Sequence, residues 1–487
     1  MEWTQEQRYR KLEEVSEAEL NQLASKVAGC PWRQHFHIQP KTGLLNDPNG
    51  FSYFKGAYHL FYQWFPLGPV HGLKYWYHLT STDLINWEDA GIGIAPDREF
   101  DSHGAYSGSG IVHHDKLHLL YTGNHRTKDW ERIPTQGLAV LDKDGTITKE
   151  EHPVIGTVPS GYTDHYRDPK VWRSGDQFYM VVGAQRSNET GTATIYQSAD
   201  LKSWTFRGEL ETNYKAFGYM WECPDYFELD HQGVFLFSPQ GIEPDGNRYR
   251  NIYQSGYFLG KPLNLDTLTF EHGAFQELDH GFDFYAPQTM ESPDGKRMVI
   301  GWMGLPDIEY PSDRHGWAHC LTLPRELSIK NGKLYQQPVA SVRNLQKTSQ
   351  IFEISLTSEQ HLVGNGECYE LEATFVNQGA TRFGLNLRAG DGEKTVLAYT
   401  PQQGELTLDR SLSGEPFAEE FGVTRTVNLL SEQLKVRIFV DSSSVEIFVN
   451  DGEFVLTSRI FPTNHENRIE VFAEGGGALA NLKIWRY

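Results

Sequence analysis

Four times along the chain, a residue followed by proline opens a short apolar run, and a second run ends 15 or 16 residues beyond that proline. Asp47-Pro48 leads to Phe61-Tyr62-Gln63, Asp168-Pro169 to Gly183-Ala184-Gln185, Cys223-Pro224 to Ser238-Pro239-Gln240, and Ala286-Pro287 to Gly301-Trp302-Met303. Each unit reads as a strand, a turn (Lys55-Gly56, Ser174-Gly175-Asp176, Asp230 to Gly233, Asp294-Gly295) and a returning strand. A fifth copy without proline runs from Ser107-Gly108-Ser109-Gly110 to Tyr121-Thr122-Gly123 and fills the gap between the first two. A second echo, Ser81-Thr82-Asp83-Leu84 to Trp87 against Ser198-Ala199-Asp200-Leu201 to Trp204, is expected after the second strand, where a closing strand begins. Units recurring every roughly 55 to 65 residues, each long enough for a four-stranded sheet, predict a five-bladed β-propeller. Proline is tolerated at the start of a strand because its missing N–H need not join the ladder.

A chain of 487 residues with 39% hydrophobic content exceeds what one core organises, so a second domain is expected. After about Arg325 the pattern becomes a regular alternation, as in Glu367 to Phe375 and Leu434 to Val440, with turns at Gly390-Asp391-Gly392 and Asn450-Asp451-Gly452. That pattern predicts a β-sandwich. The all-β reading therefore divides into an N-terminal helical segment (1–30), a propeller (31–330), a linker (331–345) and a sandwich (346–487). The one long helical pattern, Thr4 to Val27, has Ser16 and Glu19 as a capping box and reads first as a packed clasp. Asp441 to Glu446 reads as turn plus strand with a structural role.

Lys and Arg number 44 against 64 Asp and Glu, a net charge of −20 that repels nucleic acid and anionic lipid. The charged opening, Met1-Glu2-Trp3-Thr4-Gln5-Glu6, does not read as a secretory signal, and no run of about 18 apolar residues follows. A cytoplasmic protein is expected. Cys30, Cys223, Cys320 and Cys368 lack CxxC spacing, so neither a metal nor another cofactor is called for. Oligomeric state is left open.

Taken alone, Asn46-Asp47-Pro48-Asn49-Gly50 is a turn, since each of its residues is favoured there. In a propeller, however, the starts of the first strands converge on one axis, and three of the five carry an acid: Asp47, Asp168 and, one place earlier in register, Glu222. Converging carboxylates repel, so a fold that did not use them would not keep three together. Glycoside hydrolysis needs such a set, with one carboxyl protonating the leaving oxygen and another attacking the anomeric carbon.

Five motifs in order then carry a resemblance over essentially the whole chain: Leu45-Asn46-Asp47-Pro48-Asn49-Gly50, Tyr106-Ser107-Gly108-Ser109, Tyr166-Arg167-Asp168-Pro169, Trp221-Glu222-Cys223-Pro224 and Leu323-Pro324-Arg325-Glu326-Leu327. The chain resembles glycoside hydrolase family 32, the β-fructofuranosidases, and within it the bacterial sucrose-6-phosphate hydrolase branch. The resemblance implies retaining hydrolysis of sucrose-6-phosphate or sucrose. It implies Asp47 as nucleophile, Glu222 as acid/base and Asp168 as transition-state stabiliser. It also implies a fructose pocket of Leu45, Asn46, Gln63, Trp76, Tyr106, Ser107, Arg167 and Trp302, although Trp76 and Trp302 read equally well as core aromatics.

The residues support these roles separately. The Asn46 amide is placed to donate to Asp47, and Arg167 can serve Asp168 if the local bend turns both inward. Trp221 and Cys223 give Glu222 an apolar setting that suits an acid. Where many members have Trp-Gly, this chain reads Pro69-Val70-His71-Gly72-Leu73-Lys74, so His71 and Lys74 are candidates for a 6-phosphate, or else solvated loop residues. Arg248, Arg250 and Arg314 are weaker candidates. The rival readings are an invertase or fructooligosaccharide hydrolase or transferase indifferent to phosphate, a family 43 type arabinosidase, and a non-catalytic sugar-binding propeller.

Overall fold

The computed structural model describes residues 3–431 and 433–487. Met1 and Glu2 of the expected N-terminal segment, and Glu432 of the expected sandwich, lie outside the described residues. No described helix is long and apolar enough to cross a membrane.

The single helix expected over Thr4 to Val27 is instead three pieces: α1 (Gln5–Tyr9), a 3-10 turn (Leu12–Glu14) and α2 (Glu17–Ala28). Arg10 is extended and ends α1, and its guanidinium pairs with Glu19 at 2.7 Å across the break. The Ser16 hydroxyl accepts from the Glu19 N–H at 3.2 Å and caps α2, but the Glu19 carboxylate goes to Arg10, so the expected capping box is only half made. The segment is a clasp. Leu73 N–H donates to the Arg8 carbonyl at 2.7 Å, Leu12 N–H to the Tyr75 hydroxyl at 3.0 Å, and Val27 is buried with Trp32, Tyr310 and Trp317.

Five small antiparallel sheets follow, called blades I to V, with inner strands Gly43–Phe54, Ala105–His113, Tyr162–Ser174, Met220–Leu229 and Tyr285–Glu291. Each inner strand touches the inner strand of the next blade, and the fifth touches the first, which closes a ring as a five-bladed propeller requires. Trp317–Ala318 adds a parallel strand to Gly43 and Leu44 and ties the end of the ring to its beginning. The stretch expected as a linker is largely ordered otherwise: Lys333–Pro338 is the outer strand of blade V, followed by a 3-10 turn at Ala340–Leu345.

The Asp83 and Asp200 echo falls after the third strand rather than the second. It is a turn, built twice alike: Asp83 accepts from the Ile85 and Asn86 N–H groups, and Asp200 from those of Lys202 and Ser203. Leu84 and Leu201 adopt positive φ (69° and 66°), and Trp87 and Trp204 each donate an indole N–H back to that leucine's carbonyl at 3.0 Å. Asx chemistry outbids strand propensity here.

Beyond the propeller, two six-stranded antiparallel sheets pack face to face over a core that includes Leu371, Phe375, Leu385, Leu397, Ile438 and Ile447. Asp441 and Glu446 do occupy a turn and strand, yet both are fully buried against the propeller. His37 bridges them, with Nδ1 2.8 Å from Asp441 and Nε2 2.9 Å from Glu446. Arg325, also fully buried, spans Glu446 at 2.6 Å and Asp279 at 3.0 Å.

Candidate active site

The repeat read from sequence has a physical meaning that only pairing reveals: every inner strand carries a β-bulge at the same place. Residues 46–47, 107, 168–169, 223–224 and 286–287 are the extra residues, each interrupting the register against the second strand of its blade. A bulge bends its strand and re-aims a side chain. In three blades the residue before proline adopts positive φ, 68° at Asp168, 47° at Cys223 and 48° at Ala286. This is unusual for non-glycine residues, and doubly so before proline. Strain of this kind, about 1 to 3 kcal/mol each, persists where the surroundings impose it and clusters at functional sites.

The bulges stack the axis in three levels. The deepest, one residue after the proline position, is a buried polar belt of Asn49, Ser109, Lys170, Asp225 and Gln288. Its members link blade to blade: Asn49 Oδ1 accepts from Gly108 N–H (2.9 Å), the Ser109 hydroxyl donates to the Pro169 carbonyl (2.8 Å), Lys170 pairs with Asp225 (2.8 Å), and Gln288 donates to the Gly108 carbonyl (2.6 Å). Asp225 Oδ1, 3.6 Å from Arg297, and Gln288 Oε1 are the belt oxygens left without a hydrogen bond, and the other contacts tie the blades together beneath the acids.

On that floor lie Asp47, Ser107, Asp168, Cys223 and Ala286. Asp47 accepts from the Asn46 amide (3.0 Å), the Gln63 amide (3.3 Å) and the Ser107 hydroxyl. Asp168 accepts from the Cys223 N–H at 3.0 Å, and the Cys223 thiol sits between the two aspartates, 3.6 Å from Asp47 and 3.7 Å from Asp168. Burial raises the pKa of Asp47, opposed by the Ser107 hydrogen bond and reinforced by Glu222. Burial likewise pushes Asp168 up to about 7, with Arg167 pulling it down and Glu222 and Asp47 pushing it further up.

The uppermost level holds Asn46, Tyr106, Arg167, Glu222 and Tyr285. Arg167 donates twice to Glu222 Oε1, at 2.9 and 2.6 Å, while the Tyr285 hydroxyl (2.7 Å) and the Gln240 amide (3.0 Å) donate to Oε2. The expected apolar setting of Glu222 is thus corrected to one of four donated hydrogen bonds. Trp221 points to the other face of the strand, fully buried, with its indole N–H on the Phe217 carbonyl at 2.7 Å. Because of the bulge, Arg167 and Asp168 both reach the axis, which strict alternation forbids.

The remaining expected residues divide. Asn46, Gln63, Ser107, Tyr106 and Arg167 line or adjoin the acids. Leu45 does not: its side chain is fully buried in the core of blade I, because it precedes the bulge and points away. Trp76 is also fully buried, packed on Phe61 and Tyr121, and acts through its indole N–H, which donates to the Tyr106 carbonyl at 3.0 Å. Trp302 is 1% exposed and its indole N–H has no protein partner, with His71 at 6.1 Å and Tyr285 at 6.0 Å between ring centroids.

Lys74 is corrected. It is buried, and its ammonium donates to Asn46 Oδ1 at 2.7 Å, so it fixes the amide that serves Asp47 rather than reaching to the glucose side. Burial lowers its pKa to about 7, against the pull of Asp47. His71 is exposed, and its carbonyl accepts from Arg8 at 2.7 Å. Arg248 and Arg314 are paired with Asp245 and Glu415, and Arg250 is exposed.

Tyr285, Gln240 and Cys223 went unread as site residues. The repeat held the signal: Tyr285 aligns with Arg167 and Glu222, Gln240 with Gln63, and Cys223 with Asp168.

Residues 37–338 match the Glycosyl hydrolases family 32 N-terminal domain, and residues 338–486 match the Glycosyl hydrolases family 32 C terminal. A sucrose-6-phosphate hydrolase of Staphylococcus xylosus is 48% identical over 100% of this chain and 98% of its own length, and one of Bacillus subtilis (strain 168) is 41% identical over 99% and 98%. Among solved structures, the sucrose-6-phosphate hydrolase from Lactobacillus gasseri superposes with a TM-score of 0.93 at 40% identity, covering 100% of this chain and 99% of that one. A Bombyx mori GH32 beta-fructofuranosidase mutant in complex with sucrose gives 0.83 at 35% identity, covering 97% and 98%. A propeller whose bulged inner strands gather three acids, joined to a β-sandwich and matched along its whole length by these relatives, belongs to glycosyl hydrolase family 32.

Proposed function

We propose that this glycoside hydrolase cleaves the β-D-fructofuranoside bond of sucrose-6-phosphate, and of sucrose, releasing fructose with retention. The observation that carries the reading is that Asp47 and Glu222 have separate sets of donors at two levels of one funnel. Asp47, steadied by Asn46, Gln63 and Ser107, attacks the anomeric carbon while Glu222 delivers a proton to the departing glucosyl oxygen. A fructosyl ester forms on Asp47. Glu222 then takes a proton from water, and that water releases fructose from the ester. Asp168 lies beside Asp47 and supports the positive charge that develops on the ring, while Asn46, Tyr106, Arg167 and Trp302 orient the fructosyl unit.

The names of the relatives support a phosphorylated substrate, and a sugar phosphate, being charged, is retained inside cells, which supports a cytoplasmic setting. Residues 37–338, which include the outer strand of blade V, form the catalytic unit, and the sandwich of 346–487 props it. Proton NMR of the first-formed product tests the chemistry. The β-anomer of fructose is expected, and the α-anomer overturns the retaining assignment. The ratio of kcat/KM for sucrose-6-phosphate to that for sucrose tests the substrate: a value well above one is expected, and equal values leave an invertase.

A further inference from the structure

Two arginines stand opposite each other at the end of a hairpin in blade II, Arg126 on Lys116–Arg126 and Arg132 on Arg132–Leu141. Like charges directly across a ladder destabilise it. Among the described residues neither has a carboxylate within the 4.0 Å of an ion pair, although the chain carries 64 acidic residues. Arg248 and Arg314, by contrast, each hold one. The Nε of each is buried without a hydrogen-bond partner. Arg126 is steadied by one bond to the Trp130 carbonyl (3.1 Å) and by the Trp130 ring (5.6 Å), and its own N–H by His103 (3.2 Å). Trp130 rests in turn on Tyr9 of α1 at 5.1 Å and on His103 at 5.4 Å.

The pair lies on the acid/base side of the site. Arg132 lies within the fields of Arg167 and Asp164, and His165 is bonded to Arg167 at 3.1 Å and within the fields of both Arg132 and Glu222. Arg167 in turn grips Glu222. Since Glu222 protonates the leaving oxygen, the glucosyl unit leaves on this side, and an anion carried on that unit meets Arg126 and Arg132.

We propose that Arg126 and Arg132 form the subsite for the phosphate monoester on the glucosyl unit, with Trp130 and Tyr9 as its wall. Their forks supply paired N–H donors of the kind that bind phosphate oxygens bidentately, and a dianion relieves the cross-strand repulsion. Because Tyr9 belongs to α1, the N-terminal clasp also completes the substrate site. The proposal rests on the reading that the enzyme prefers a phosphorylated substrate.

The test compares kcat/KM for sucrose-6-phosphate and sucrose in the parent, Arg126→Gln, Arg132→Gln and, as the rival location, His71→Gln. The ratio is expected to fall by about 10- to 100-fold in each arginine variant, the scale of a lost charge-assisted hydrogen bond, and to hold in His71→Gln. A parent ratio near one overturns the phosphorylated-substrate reading itself. A parent preference that survives both arginine substitutions, or that is lost only in His71→Gln, overturns the arginine subsite alone. Arg132→Lys covers a glutamine variant that does not fold, since it keeps the charge, loses the fork, and is expected to retain part of the preference. Inhibition of sucrose hydrolysis by glucose 6-phosphate, inorganic phosphate and glucose separates the sources of anion. Glucose 6-phosphate is expected to bind tightest and to lose that advantage in Arg132→Gln, whereas equal inhibition by inorganic phosphate marks a general anion site and overturns a sugar-phosphate subsite.

Discussion

The molecule buries charge in two places and treats it in opposite ways. At the contact of propeller and sandwich, His37, Arg325, Asp441, Glu446 and Asp279 alternate in sign. For three of them hydrogen bonds and opposite charges outweigh burial: His37 is raised to about 9, Asp441 is lowered to about 2, and Glu446 is lowered, while Asp279 at the end of the series is raised by burial against the pull of Arg325. At the axis, Asp47, Asp168 and Glu222 share one sign with Arg167 as the cation in contact, and burial wins, raising Asp47 and Asp168. Alternating charges tie the two domains together, whereas burial among like charges at the axis raises the Asp47 and Asp168 carboxyls, the kind of perturbation that clusters at functional sites.

Breaking the unpaired cluster is expected to have the largest effect, and on rate alone. Asp47→Ala should lower kcat by about 10^4-fold or more while leaving the thermal midpoint equal or higher, because one of the mutually repelling carboxylates is gone. A steady-state assay beside a melting curve checks both halves, and a clear fall in midpoint contradicts the view of the axis as strained. The interface should answer in the reverse sense. Arg325→Met leaves Glu446 and Asp279 facing each other in a dry contact and should cost about 3 to 5 kcal/mol in urea unfolding, with kcat near the parent's while folded. Adding Glu446→Gln to that variant should recover part of the loss.

Smaller effects sharpen the contrast. Tyr285→Phe removes one donor from Glu222 and should reduce kcat/KM about 10- to 100-fold, the range for a hydrogen bond to a charged group. The pH dependence of stability should separate the regions with the smallest change per measurement. His37, raised from about 6.5 to about 9, contributes stability that is full below pH about 6.5 and is lost as pH rises through about 9. Asp441, lowered to about 2, contributes above pH about 4 and is lost as pH falls through about 2. Asp168, raised to about 7, gives the folded state an advantage below pH about 4 that is lost as pH rises through about 7. Urea midpoints across pH 4 to 9 should therefore flatten between about 4 and 7 in Asp168→Asn and between about 6.5 and 9 in His37→Gln.

Much of the propeller was legible because its repeat is local: proline positions, turn residues and strand spacing are written in consecutive residues. The acids were legible for the same reason, being in register within that repeat. Less legible was anything set by bulges. Leu45 and Glu222 were misjudged as a lining residue and as an apolar-pocket acid, because one extra residue per strand changes which face a side chain takes. Lys74 and the Asp441 to Glu446 segment read as surface or turn chemistry, yet partners 28 residues away in one case and 404 and 409 in the other bury them.

The amino-acid sequence by itself determined the architecture and the register that brings Asp47, Asp168 and Glu222 to one axis, since strand period, turn chemistry and repeat register are properties of neighbours along the chain. Only the tertiary structure decided that Arg167, Tyr285 and Gln240 hold Glu222, that Lys74 serves Asn46, and that Arg126 and Arg132 face each other without an acid between them. The reason is physical: hydrogen bonds and ion pairs form between blades, across distances in sequence that no local pattern spans, and the bulges that aim them appear only when strands pair.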